Sequence, residues 1–169
     1  MGREIRMVPP NWQHPKDERG HDKPMHDQNF ADAATEWKRE FAEWESGKRP
    51  DYCDGDSKLL EFWEWHGQPP DRDYYRPWKD EEATWFQVWQ TVSEGSPVTP
   101  PFATKQELVE YLVTHGDYWD QKRGDGGWKR ESAEAFVGVG WAPSMMAIDG
   151  VVVESRDVAA ELQSREEPV

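Results

Sequence analysis

The stretch TWFQVWQTVSEGSPVTPPFATKQELVEYLVTHG, residues 84–116, decides the fold class. Its first part alternates. Phe86, Val88 and Val92 fall on one face of an extended chain and Trp85 and Trp89 on the other, so the spacing predicts a strand over 84–92. Ser93 to Pro101 carries Gly95, Pro97, Pro100 and Pro101 and reads as a rigid turn. Thr104-Lys105-Gln106-Glu107 is a capping box: the threonine hydroxyl and the glutamate carboxylate each satisfy a backbone N–H that the first helical turn leaves open. It opens a helix through Leu108, Tyr111 and Leu112 that stops at Gly116. No βαβ alternation and no glycine-rich phosphate loop accompany this strand, turn and helix, which places the chain in the α+β class.

Working outward, Phe30, Ala34, Trp37, Phe41 and Trp44 recur at helical spacing, and Gly47 ends that run. Ser57 is placed to cap a second helix, Lys58 to His66, whose Leu59, Leu60, Phe62, Trp63 and Trp65 predict a well-covered segment. A short helical turn is expected at Asp80–Ala83. Asp117 to Lys129 reads as a loop, Ser132 to Val139 as a helix closed by Gly140. Ser144 to Glu154 reads as a hairpin whose Asp149-Gly150 turn takes the positive φ angles of a tight connection. The tail from Arg156 is expected to hold a short helix. The expected architecture is a small antiparallel sheet, strand 84–92 plus hairpin 144–154, packed by three to four helices. Residues 1–28, with Pro9, Pro10, Pro15 and Pro24 and few aliphatics, read as an extended arm in which Glu4–Val8 is a short edge strand; residues 29–169 read as a single α+β domain.

Composition narrows the function classes. The chain has 169 residues, 36% of them hydrophobic, with 34 acidic against 20 basic side chains and a net charge of −14. Such a balance leans towards disorder, but 11 tryptophans lean the other way, since each buried aromatic removes roughly 150–250 Å² from water. Acids exceed bases in every segment beyond residue 28, so the charge is spread over the body and not confined to a tail. That surface repels phosphate backbones and anionic membranes and speeds encounter with basic partners. Direct nucleic-acid binding is not expected, because the densest basic cluster, Lys122–Arg123 with Lys129–Arg130, is interrupted by Asp125. No stretch approaches the ~18 apolar residues of a membrane span, and the start MGREIRMV lacks the apolar run of a signal peptide.

The chemistry candidates are few. His14, His21 and His26, with Asp17, Asp22 and Asp27, are the right residue types for a divalent metal, but their spacing matches no zinc pattern, and a solvated arm is the expected reading: no metal and no cofactor. Asp51, Asp54 and Asp56 resemble a calcium loop until its twelfth position, where Phe62 stands in place of a bidentate glutamate. Cys53 is the single cysteine, which excludes an internal disulfide. Neither G-x-S-x-G nor H-E-x-x-H occurs, so no catalytic residue is assigned. His66 and His115 each precede a helix-ending glycine and read as caps. Trp12, Trp78, Trp119 and Trp128 fall in expected loops, where aromatics either pin the loop to the core or anchor a partner. The binding surface expected from residue type alone is Trp78, Trp119 and Trp128 with Asp117 and Asp120. Arg72 and Arg76 near Trp78, or Arg123 and Lys129 near Trp128, are the candidate phosphate partners of a base-stacking pocket.

Three blocks carry a resemblance: REIRMVPPNWQHP (3–15), WQTVSEGSPVTPPFATKQELVEYLVTHGDYWD (89–120) and AEAFVGVGWAPSMM (133–146). Together they resemble small acidic proteins encoded by tailed bacteriophages and prophages, a group without an assigned activity. The resemblance covers about half of the chain, leaves 29–83 outside it, and carries no catalytic residue with it. It implies a phage accessory protein acting in the cytoplasm of the infected bacterial host. The expected function is a protein without catalytic activity that binds and inhibits or redirects a host protein with a basic surface, for example a nucleic-acid-handling defence enzyme. The alternatives are a protein that sequesters a nucleotide signal, an enzyme acting on nucleotides or nucleic acid with a metal held by His14, His21 or His26, and a minor virion or assembly protein.

Overall fold

A computed structural model describes residues 2–53, 55–92 and 94–166. In chain order the elements are β1 (Arg3–Val8), β2 (His26–Asn29), α1 (Phe30–Glu45), α2 (Phe62–Trp65), β3 (Tyr75–Arg76), β4 (Trp85–Gln90), α3 (Lys105–His115), α4 (Tyr118–Arg123), α5 (Arg130–Val139), β5 (Trp141–Ala142), β6 (Met145–Ile148), β7 (Val151–Glu154) and α6 (Ser155–Glu166). The α+β class stands, with small sheets. The chain divides into two compact units, Met1–Pro24 with Trp78–Val169, and Met25–Pro77.

In the larger unit β1 is the centre of a three-stranded sheet of order β4-β1-β5, antiparallel to both neighbours. The expected edge strand at the N-terminus is therefore a central one, and residues 2–24 fold into this unit and do not stand as a separate arm. Both faces of β1 are used: Ile5 faces the helices with Val88 opposite it, while Arg6 and Val8 face the other way. One side of the sheet meets α3 and α5 in a core of Val88, Leu108, Leu112, Ala133, Phe136 and Ala142. The other side is covered by residues 9–24. There Trp12 packs on Trp78 with centroids 4.4 Å apart, the His14 ring meets Trp89 edge-on at 4.9 Å, and the Arg6 guanidinium lies 4.7 Å above the Trp89 ring.

The proline-rich turn runs along the outer edge of β4. Phe86 and Phe102 exchange backbone hydrogen bonds and the Val98 N–H donates to the Val88 carbonyl. Pro97, Pro100 and Pro101 lack the N–H that a full ladder requires, so this segment closes the edge without becoming a regular strand. The Thr104 capping box forms as the sequence predicts. The hairpin β6–β7 has its expected Asp149-Gly150 turn, both residues at positive φ, but it forms a two-stranded sheet of its own and packs on α6. The Ser155 N–H donates to the Ser144 carbonyl and ties the base of the hairpin shut.

The smaller unit is built on α1, whose Asn29 side chain caps the Ala31 N–H. Strands β2 and β3 pair in parallel beside it, a pairing the sequence reading did not contain. The expected helix from Lys58 to His66 is instead a 3-10 turn at Gly55–Leu59 followed by the single helical turn α2. Glu61 interrupts it by adopting the extended cap geometry, with the Glu64 carboxylate accepting from the Glu61 N–H. As a result Leu59 is 83% exposed and Trp63 44% exposed, against the expectation of a covered segment. Phe62 alone of that run is buried, with Trp44 and Cys53, under Trp37, Phe41 and Trp65.

Candidate functional site

The residues chosen by type for a binding surface lie mostly inside the larger unit. Asp117 and Asp120 open α4, a helix in what reads as a loop. The Asp117 carboxylate accepts from the Trp119 and Asp120 N–H groups, and Asp120 accepts from the Asp117 N–H at 3.0 Å, a capping box in which aspartate takes the usual place of glutamate. Both are fully buried. A buried carboxylate is stable only when its lone pairs are met by donors and its charge by cations, and here both are supplied. Asp120 accepts from the Trp128 indole at 2.6 Å and from Arg123 at 2.7 Å, with Arg3 and Arg156 at 4.0 and 3.9 Å. Arg3, itself nearly buried, is hydrogen-bonded to Asp117. Burial alone pushes the Asp120 carboxyl up; the hydrogen bonds from Trp128 and the Asp117 amide and the charge of Arg3 outweigh it and hold the group below its ordinary value.

Trp128 is 3% exposed and stacks edge-on against Phe136. It reaches the core because Gly127 passes so close to the end of α3 that a Cβ there would lie 1.9 Å from the Val113 carbonyl oxygen. Trp78 is buried against Trp12. Trp119 is half-buried against the same core as Trp128, and its indole N–H is buried without an acceptor. The expected surface of Trp78, Trp119, Trp128, Asp117 and Asp120 is therefore corrected: four of the five are interior groups that build the unit. The sequence signal was present in Asp117-x-x-Asp120 followed by Gly124, which marks a helix start and stop.

The histidines separate. His14 Nε2 lies 2.7 Å from the Lys23 carbonyl and its Nδ1 accepts from the Trp12 indole at 3.4 Å, so both ring nitrogens are engaged with the ring neutral. Burial lowers its pKa. His21 pairs with Asp17 on the surface. His26 belongs to the smaller unit and stacks on Tyr75. Among the described residues no three His, Cys, Asp or Glu side chains form a group able to hold a metal ion. His115 ends α3 as expected; His66 caps α2 and lies 2.7 Å from Glu40.

Two features that residue-type reasoning missed lie elsewhere. The first is a cleft of about 380 Å³ in the smaller unit, between α1, the loop after it and α2. Tyr52, Trp65 and Trp44 form a pile, with centroids 5.8 and 4.8 Å apart and successive planes 27° from parallel. The Arg49 guanidinium lies 3.8 Å above the Trp44 ring and donates to the Trp44 carbonyl. Arg39 and Lys48 complete the positive side of the cleft, and Glu43 pairs with both. Its signal was the basic pair Lys48-Arg49 directly after the Gly47 stop. The second feature is a set of exposed apolar side chains along residues 139–152 in the larger unit, with Met145 and Val152 on one face of the hairpin and Val151 on the other. Met145, Val151 and Val152 are each 64% exposed, Val139 58% and Trp141 50%. Trp141 points outward because Ala142, its neighbour on β5, occupies the core face opposite Arg3.

No helix among the described residues is long and apolar enough to cross a membrane. Comparison with family models, with curated proteins and with solved structures finds no match to this chain.

Proposed function

We propose that this chain is a bacteriophage or prophage accessory protein without catalytic activity that binds a host protein with a basic surface, in the cytoplasm of the infected bacterium, and inhibits or redirects it. The reading rests on one observation above the others: large apolar side chains stand in water along 139–152, beside an acidic rim. Exposed apolar area of this kind is costly to leave in solution and marks interfaces, and aromatic anchors such as Trp141 carry much of an interface's energy. Around the hairpin and α6, Asp149, Glu154, Asp157 and Glu161 outnumber Arg156 and Arg165. Arg165 is hydrogen-bonded to Asp149 and Glu161, and Arg156 pairs with Glu154, Asp157 and buried Asp120. Both cations are thus neutralised within the chain, leaving a negative rim that fits a basic partner. With −14 overall, attraction is long-ranged and falls with salt. A surface that combines acids with an apolar anchor suits occupation of a channel built for nucleic acid, which supports a nucleic-acid-handling enzyme as the host target.

The test compares the tagged chain with its Trp141→Ser/Val152→Lys variant as bait in bacterial lysate, washed at rising salt. The expected result is one stoichiometric basic protein that leaves the wild-type bait as salt rises and is absent from the variant, whose melting temperature is unchanged. Equal capture by both baits refutes the assigned surface. Capture of acidic proteins only, or of none, refutes the function.

A further inference from the structure

The cleft of the smaller unit is unlike the rest of the protein in two ways. It is positive where the chain is negative: Arg39, Lys48 and Arg49 face it against Glu40 and Glu43, in a chain of net charge −14. It is also walled by flat rings. Trp44, 4% exposed, forms a fixed floor, while Tyr52, the outer ring of the pile, is 78% exposed. A tyrosine that projects this far gains little from burial and leaves most of its ring open to a guest. Arg49 uses one donor on the Trp44 carbonyl, and a guanidinium carries five N–H donors in a planar fork that matches phosphate oxygens. A cavity of about 380 Å³ lies in the range of small-molecule sites, roughly 300–1,000 Å³.

We propose that this cleft binds a single nucleotide, with the base stacked on the Tyr52–Trp65 pile and the phosphate held by Arg49, Lys48 and Arg39. Each half of that ligand answers one half of the site. A neutral sugar would use the rings and leave the cations idle; an inorganic anion would use the cations and leave the rings idle. A polynucleotide is opposed by the net charge, because its further phosphates would meet the acidic surface beyond the cleft. Glu43 competes with the phosphate for Lys48 and Arg39, and Glu40, 3.1 Å from Arg39, competes for that guanidinium as well, which sets the affinity in a modest range and makes it fall with salt.

The experiment follows the indole resonances of the ¹⁵N-tryptophan-labelled chain, with Trp65 assigned by Trp65→Phe, during titration with AMP, GMP, adenosine, inorganic phosphate and a short single-stranded DNA. The expected result is saturable movement of the Trp44 and Trp65 indoles with AMP or GMP. Adenosine and phosphate should each bind at least tenfold more weakly. Tyr52→Ala, at an exposed position that the fold does not need, should weaken nucleotide binding by at least about fivefold, the lower bound of one base–aromatic stack. Arg49→Gln should abolish the preference for AMP over adenosine. No saturable movement with either nucleotide overturns the proposal. So does equal affinity for phosphate alone, equal affinity in Tyr52→Ala, or tighter binding of the DNA than of the nucleotide. None of these outcomes alters the capture experiment, which probes a surface of the larger unit.

Discussion

Replacing Asp120 separates a structural role from an interface role. If Asp120 were a rim acid of a docking surface, Asp120→Ala would leave stability within about 0.5 kcal/mol of wild type, as exposed substitutions do. The structure demands more. The carboxylate accepts from the Trp128 indole and from Arg123, at 2.6 and 2.7 Å, and from the Asp117 backbone N–H. Hydrogen bonds to a charged group contribute about 1.5–3 kcal/mol, and a buried indole N–H left unmatched costs about 1–3 kcal/mol. Arg3 is also left buried with one carboxylate in place of two, and breaking a buried pair costs about 3–5 kcal/mol. These effects overlap, so the expected loss for Asp120→Ala is about 3–5 kcal/mol, a large part of the 5–15 kcal/mol that holds a typical domain. Asp120→Asn keeps the shape and one acceptor and should lose about half of that. The assay is urea unfolding with peptide-resolved hydrogen exchange over residues 105–142, which isolates this unit from the other. The folded-state pKa is depressed, so Asp120 stabilises the protein above the ordinary carboxylate range and that contribution is lost as the pH falls below it. Asp120→Asn should remove this part of the acid sensitivity. A loss below about 1 kcal/mol in both variants refutes the assignment of this cluster to the interior.

Further outcomes follow from the same geometry. His14 is held neutral by burial, so stability should be full above about pH 6.5 and decline as the pH falls towards its lowered folded value; His14→Gln should flatten that decline in thermal melts from pH 7.5 to 5. Glu110, bound by both Arg130 guanidinium nitrogens at 2.8 Å, should titrate at about 2 by carboxyl ¹³C NMR, and Arg130→Ala should return it towards 4.5. Gly127→Ala should cost at least ~1–3 kcal/mol, the range for overpacking, because the added methyl meets a backbone carbonyl at 1.9 Å; an unchanged urea midpoint refutes the close-approach account of Trp128. Phe62→Ala should destabilise the smaller unit by about 3–5 kcal/mol, read as faster exchange in 30–66 with exchange in 105–142 unchanged.

The fold was legible wherever local rules acted alone. The alternation of 85–90, the Thr104 capping box, the α1 stripe and the Asp149-Gly150 turn each form in the structure as their spacing dictates. What escaped was set by partners distant in sequence. Nothing in REIRMV says that two strands flank it; that follows from where β4 and β5 find room. Lys58 to His66 has the composition of a helix, yet Glu61 and Glu64 cap one another inside it and expose Leu59. Loop tryptophans are ambiguous for a physical reason: the same ring that anchors a partner also anchors its own loop, and only the close pass at Gly127 decides for Trp128. The candidate surface was misplaced by that ambiguity. Trp141, two residues from Val139 and four from Met145, carries no sequence signal because a helix end and a two-residue strand hide any periodicity.

The central claim is that a partner docks on the exposed apolar side chains along 139–152. It is tested most directly by hydrogen exchange of the captured complex against the free chain. Slowed exchange is expected to concentrate in residues 141–153, with 112–123 unchanged because buried Leu112, Asp117 and Asp120 take no part in the docking surface. Protection confined to residues 39–66, or to the N-terminal segment 9–24, would contradict it.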